Sequence, residues 1–155
     1  MNTHKKIIVS ACLAGCCCKY SGGDNLCEAV VELVRQGRAI PVCPEQLGGL
    51  PTPRPCCEIR KNGEAVEVWN DRDENVTEYF ARGAQEAFRI ASLAGCTAAV
   101  LKERSPSCGA GVIYDGTFQH IHVPGDGLFA ALCRENGLAI FTESDLEENG
   151  EPCSK

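Results

Sequence analysis

Apolar residues come along this chain in short blocks that alternate with helically spaced stretches. The run Ile7-Ile8-Val9 within residues 6–11 is continuous rather than alternating, which predicts a strand buried on both faces. Residues 27–36 place Val30, Val31 and Val34 on one side and are followed by Gly37, so a short helix with a glycine stop is expected. Residues 39–43 read as a second strand, and 64–69 alternates as an edge strand or hairpin arm. The longest helical signal is 73–94, where Val76, Phe80, Ala84, Ala87, Phe88 and Ala91 repeat at helical spacing before Gly95. Residues 97–101 form a third main strand, 126–136 a helix and 138–142 a last short strand. Segments 111–114 and 118–121 flank Asp115-Gly116, a strong hairpin turn. Residues 12–26 are a Gly- and Cys-rich loop. Residues 44–58 are dense in Pro and Gly and are expected to hold neither helix nor central strand.

Alternation of strand and helix predicts an α/β fold: a single three-layer, Rossmann-like domain over residues 1–142, with a mostly parallel sheet and helices on both faces. The acidic tail 143–155 is expected to fray, with Cys153 uninvolved. The chain has 155 residues, 44% apolar and 23% charged, enough for one globular domain with its own core. A net charge of −6 disfavours a nucleic-acid partner, because phosphate contacts need a basic surface. No apolar run approaches the roughly 20 residues of a membrane span.

Twelve cysteines change the picture. A disulfide scaffold is one source of such density, but those chains are short and poor in core residues. The runs Cys16-Cys17-Cys18 and Cys56-Cys57 also suit no ordinary disulfide framework, because adjacent cysteines rarely meet the bonding geometry. Reduced thiols in a cytoplasmic protein are therefore expected. Three of them follow apolar runs: Cys12 after 7–11, Cys43 after 39–42, and Cys108 after 98–101 and a short loop. In an open α/β sheet, sites form beyond the carboxyl ends of parallel strands. Thiols at three such ends make a place for a soft metal centre, although spacing alone does not identify the metal.

Longer strings carry more. Ser10-Ala11-Cys12-Leu13-Ala14-Gly15 with Tyr20 and Gly22-Gly23, Val42-Cys43-Pro44-Glu45 through Gly48-Gly49 to Arg54, and Ser105-Pro106-Ser107-Cys108-Gly109 with Tyr114-Asp115-Gly116 resemble the bacterial thiouracil desulfurases over about residues 5 to 142. The resemblance implies a [4Fe-4S] cluster held by Cys12, Cys43 and Cys108 alone, with the fourth iron open to the sulfur of a thiopyrimidine. It implies a non-redox exchange of sulfur for oxygen, releasing hydrogen sulfide. It places acid–base chemistry on Glu45 and on Ser105.

The residues themselves suit these roles. Glu45 lies two positions past Cys43 in a Pro-containing turn, so it can face the same metal and move protons. Ser105 or Ser107 can hydrogen-bond substrate. Tyr20 can stack on a pyrimidine or only close its loop. Arg54 can bind a substrate phosphate or pair with a carboxylate and brace the Pro-rich loop. Gly48, Gly49 and Gly109 are expected to bring backbone amides to the cluster. Each residue also has a plainer reading: a strand-end cysteine as a small buried hydrophobe, Glu45 as a solvated charge.

Cys16, Cys17, Cys56 and Cys57 depart from the family pattern, and Cys18 sits where some relatives also have a cysteine. All fall in loops expected around the site, as a fourth ligand, as sulfur acceptors or as neutral drift. Two other functions stay open on sequence alone, a metal-bearing sensor or sulfur carrier without turnover and a structural zinc domain. So does the oligomeric state.

Overall fold

The computed structural model describes residues 5–148. Four parallel strands form its central sheet: β1 (Lys6–Ser10), β2 (Ala39–Val42), β5 (Cys96–Leu101) and β8 (Ala139–Thr142), in the order β2-β1-β5-β8. The chain passes from β1 out to β2, then returns to the other side of β1 through β5. The switch in direction therefore falls at β1, where such sheets open a crevice at their carboxyl ends. The α/β expectation holds.

The uninterrupted apolar runs are explained by helices on both faces. Ile8, Ala99 and Leu101 pack beneath α3 (Thr77–Leu93) and α4 (Leu128–Glu135), against Ala84, Ala87, Phe129 and Ala130. Val9 and Val100 point the other way and pack with Val30 of α1 (Glu28–Arg35) and with Leu13. Two hairpins lie outside the sheet. β3 (Cys57–Asn62) pairs antiparallel with β4 (Ala65–Asn70), and β6 (Val112–Tyr114) with β7 (His122–Pro124).

Four expectations are corrected. Residues Pro44–Leu47 form a one-turn helix, α2, inside the loop expected to hold none. Pro44 occupies the first turn, where its missing N–H has no partner to lose. The helix expected from residue 73 starts at Thr77. Asn70 Oδ1 accepts the amides of Arg72 and Glu74, and Asn75 Oδ1 that of Thr77, so side chains capture the amides that helix would use. The 111–121 hairpin turns over a longer loop, with Tyr114 opposite His122. The buried Glu58 carboxylate there gathers the amides of Gly116 and Phe118 at 2.9 and 3.1 Å. Lastly, Glu143–Glu148 is a helix, α5, and Leu146 packs on the α1 side of the core. Cys153 lies outside the described residues.

One contact fixes the piece that carries Cys43. α2 crosses α3 backbone to backbone at a pair of glycines: a Cβ on Gly48 would meet Tyr79 O at 2.0 Å, and one on Gly83 would meet Pro44 O at 1.8 Å. Only glycine at both positions allows this approach. Gly48 thus serves helix packing, and neither it nor Gly49 nor Gly109 lines the cavity described next.

Candidate active site

A cavity of about 360 Å³ opens at the carboxyl ends of β1, β2 and β5. Cys12, Cys43 and Cys108 all line it. Cys12 sits in a 3-10 turn (Ala11–Ala14) at the end of β1. Cys43 follows β2 and precedes α2. Cys108 ends the Ser105–Ser107 loop after β5 and is buried. The three thiols are close enough to influence one another electrostatically.

Their protonation differs. Burial pushes the Cys12 thiol up, against a lowering hydrogen bond from the Asn25 side chain. Burial raises Cys108 further, against a hydrogen bond with Ser10. Cys43 moves the other way, lowered to about 6, chiefly because the Cys18 thiol hydrogen-bonds it, with help from the Gln46 amide and the Arg54 charge. The complementary shift on Cys18 is upward.

Beside the thiols lies a hydrogen-bonded polar chain. Glu45, on α2, accepts from Arg54 Nε at 2.8 Å on one carboxylate oxygen and from Ser107 Oγ at 2.9 Å on the other. Ser107 Oγ lies 3.0 Å from Ser105 Oγ. With the Ser107 proton directed to Glu45, Ser105 is the donor of that pair. Ser105 Oγ itself accepts the amides of Ser107 and Cys108, both at 3.1 Å, which pins the loop carrying Cys108.

Arg54 is buried and braces three segments. Nη2 donates to Cys18 O at 2.9 Å, and Nη1 to Thr52 Oγ1 at 3.0 Å and Pro51 O at 3.3 Å. Its donors are taken up by protein, which favours the brace over the phosphate contact. Ser107 is likewise buried, lines the cavity and donates its Oγ proton to Glu45. Tyr20 stands at the cavity mouth, 50% exposed.

Of the extra thiols, Cys18, Cys56 and Cys57 line the cavity, whereas Cys16 and Cys17 are exposed and do not. Sequence reasoning missed Asn25, Ser10 and Glu143. Ser10 Oγ accepts the Lys102 amide at 2.9 Å, and Glu143 pairs with Lys102 Nζ at 2.6 Å at the cavity edge. Nothing local marks Asn25 or Glu143, and Ser10 enters the sequence reading only as the first residue of the Cys12 string; each acts only once the strand ends meet.

The profile of 2-thiouracil desulfurase matches residues 7–145. The chain belongs to the 2-thiouracil desulfurase family. The matched residues include every cavity residue named above and the whole central sheet but Lys6. The chain is 38% identical to the uncharacterized protein YbbK of Bacillus subtilis (strain 168) over 148 residues, 92% of this chain and 98% of that one. It is also similar to a solved structure described as the [4Fe-4S]-dependent thiouracil desulfidase TudS. Identity there is 42% and the TM-score 0.84, over 93% of this chain and 94% of that chain.

A cluster of that kind fits the residues present. Its iron ligands are thiolates, and three thiols from three separate strand ends face one cavity. Among the described residues no three His, Cys, Asp or Glu side chains are arranged to hold a single metal ion.

Proposed function

We propose that this chain is a [4Fe-4S]-dependent thiouracil desulfidase, an enzyme that replaces the sulfur of a thiolated pyrimidine with oxygen from water. The observation that carries the reading is the convergence of Cys12, Cys43 and Cys108 on the cavity that also holds Glu45, in a chain of this family. The balance is a thiopyrimidine plus water giving the oxo-pyrimidine plus hydrogen sulfide, with no net oxidation.

Cys12, Cys43 and Cys108 would hold the cluster. When bound, it supplies a thiophilic Lewis acid, an iron without a protein ligand, which polarises the carbon–sulfur bond. Glu45 takes the proton from the attacking water and returns it to the ring nitrogen or the departing sulfur. Both its oxygens already accept a hydrogen bond, but each keeps a free lone pair, so the carboxylate is oriented and can accept a further donor. Arg54 holds it in place through Nε at 2.8 Å. Ser107 and Ser105 extend the chain of hydroxyls along which that proton can be exchanged. Tyr20 at the mouth stacks on the pyrimidine and limits the entry of bulk water.

The substrate is read as a small thiopyrimidine, either free base or nucleotide, and not thiolated RNA, in keeping with the net charge of −6. No helix among the described residues is long and apolar enough to cross a membrane, in keeping with the cytoplasmic location proposed for so thiol-rich a chain.

Anaerobic reconstitution with iron and sulfide, followed by sulfide release from 2-thiouracil and 4-thiouridine monophosphate, tests the reading. About four irons per chain and sulfide release are expected, and Glu45→Ala is expected to abolish release while leaving the cluster absorbance intact. A loaded cluster that releases no sulfide from either compound would refute it.

A further inference from the structure

We propose that Tyr114 is a specificity-determining contact for the pyrimidine, its phenol donating a hydrogen bond to the exocyclic oxygen that the ring keeps when sulfur leaves. In 2-thiouracil that oxygen is O4. The inference deepens the proposed function and rests on it for the presence of a pyrimidine in the cavity. Five hydroxyl side chains among the described residues line that cavity: Ser10, Tyr20, Ser105, Ser107 and Tyr114. Three are committed within the protein. Ser10 Oγ accepts the Lys102 amide at 2.9 Å, Ser107 Oγ donates to Glu45 at 2.9 Å, and Ser105 Oγ lies 3.0 Å from Ser107 Oγ. Tyr20 stands at the mouth, 50% exposed. Tyr114 is half-buried, and its phenol oxygen takes part in no hydrogen bond among the described residues.

The retained oxygen needs such a donor. A carbonyl that enters a cavity gives up its water, and leaving it unpaired there costs affinity. The sulfur-bearing carbon must face Glu45 and the three thiols, so the oxygen on the far side of the ring lies away from them. The Ser107 proton is directed to Glu45 and the Ser105 proton to Ser107, so neither serine has a proton to spare. A phenol is neutral, as is the oxygen it would meet, and it reads that oxygen by position.

The Tyr114 ring is held by its own hairpin. His122 is its partner across β6 and β7, with ring centroids 5.0 Å apart at 64°, and His120 meets it edge-on at 6.2 Å and 78°. The loop that brings His120 back departs from ordinary backbone. Phe118 and His120 both have φ 59°, a left-handed conformation uncommon outside glycine. Strain of this kind persists where the surroundings over-determine it. Here Glu58 grips the Gly116 and Phe118 amides, Arg60 Nε donates to Gly116 O at 3.1 Å, and the Arg60 guanidinium lies 5.8 Å over the Phe118 ring. A bridge between Arg104 and Ile113 sets Tyr114 beside the loop that carries Ser105, Ser107 and Cys108.

The test uses the full chain, reconstituted without oxygen, as wild type and Tyr114→Phe, which keeps the ring and its packing on both histidines. Binding of uracil and of pyrimidin-2-one, the same ring without O4, is measured by isothermal titration calorimetry. Wild type is expected to bind uracil more tightly than pyrimidin-2-one. Tyr114→Phe should weaken uracil binding about fivefold and leave pyrimidin-2-one binding unchanged, because only uracil has the oxygen that loses its donor. Steady-state sulfide release from 2-thiouracil should show KM raised by a similar factor with kcat held. Equal weakening of both probes would make Tyr114 a packing residue and overturn the proposal. Unchanged uracil binding would overturn it, and so would a fall in kcat at unchanged KM. A wild type that binds uracil no more tightly than pyrimidin-2-one overturns it without any variant. The calorimetry needs no turnover, so a chain that shows the Tyr114-dependent preference but releases no sulfide sinks the proposed function alone.

Discussion

Replacing Arg54 by Met tests the polar half of the site directly. The Arg54 and Glu45 side chains are 3% and 12% exposed, and Nε lies 2.8 Å from the carboxylate. A surface pair would contribute at most about 1 kcal/mol. Breaking a buried pair from one side costs about 3–5 kcal/mol, mainly because a charge is left without its partner. Glu45 keeps Ser107 as a donor on its other oxygen, so the lower end, about 3 kcal/mol, is expected. Met preserves the unbranched apolar stem, which separates the lost charge and hydrogen bonds from lost packing. The assay is urea unfolding of the reduced, cluster-free chain. With a slope of about 2 kcal/mol per molar, the midpoint should fall by about 1.5 M at unchanged slope. Adding Glu45→Gln removes the stranded charge, so the double variant should regain about 1–3 kcal/mol relative to the sum of the single losses. A midpoint for Arg54→Met within about 0.3 M of wild type, with no coupling in the double variant, would refute the reasoning. Arg54 would then be an uncommitted cation at the cavity, the phosphate-binding alternative read from the sequence.

Thiol reactivity and helix packing give two more checks. In the cluster-free, reduced chain, the thiolate fraction of Cys43 should rise through about pH 6, while burial raises Cys12, and Cys108 more strongly, above the ordinary thiol range. Alkylation mapped by mass spectrometry should therefore mark Cys43 first, and a Cys43 half-point near 9 would contradict the hydrogen bond from Cys18. Gly83→Ala would drive a Cβ to 1.8 Å from Pro44 O, cost about 1–3 kcal/mol, and lower iron content by moving α2 with Cys43. Wild-type stability and iron loading in that variant would show that the two helices tolerate separation.

The parts of the fold that sequence pattern reveals are those whose signal is local. β1 and β5 are legible because a strand covered on both faces needs apolar residues at every position, and Ile8, Val9, Ala99, Val100 and Leu101 all comply. What stays hidden depends on partners distant in sequence. α2 reads as a loop because its one turn is stabilised by the glycine contact with Gly83, 35 positions beyond Gly48. The 115–121 loop looks like a two-residue turn because Glu58, on another hairpin, holds its amides. Glu143 looks like part of a frayed acidic tail until Lys102 is seen beside it. The same divide runs through the site. Cys12, Cys43, Cys108 and Glu45 stand out by motif, whereas the donor on Cys43 and the two partners of Glu45 emerge only when the loops are assembled.

That assembly bears on why Glu45 and Cys43 share one short segment. Cys43 is in extended conformation with φ −120° and ψ 103°, and the next four residues close a single helical turn. Pro44 restricts the start of that turn, and the Gly48–Gly83 contact clamps its far end to α3. A carboxylate on a separate loop would drift relative to the metal ligand whenever either loop moved. On α2 it moves with the ligand, and Arg54 ties the pair to the Cys18 loop on one side as Ser107 ties it to the Cys108 loop on the other. Proton transfer needs donor and acceptor within hydrogen-bond reach at the moment of reaction. A short clamped helix achieves this with few residues, which is why backbone-to-backbone packing around a pair of glycines, remote from any substrate, belongs to the chemistry of this site.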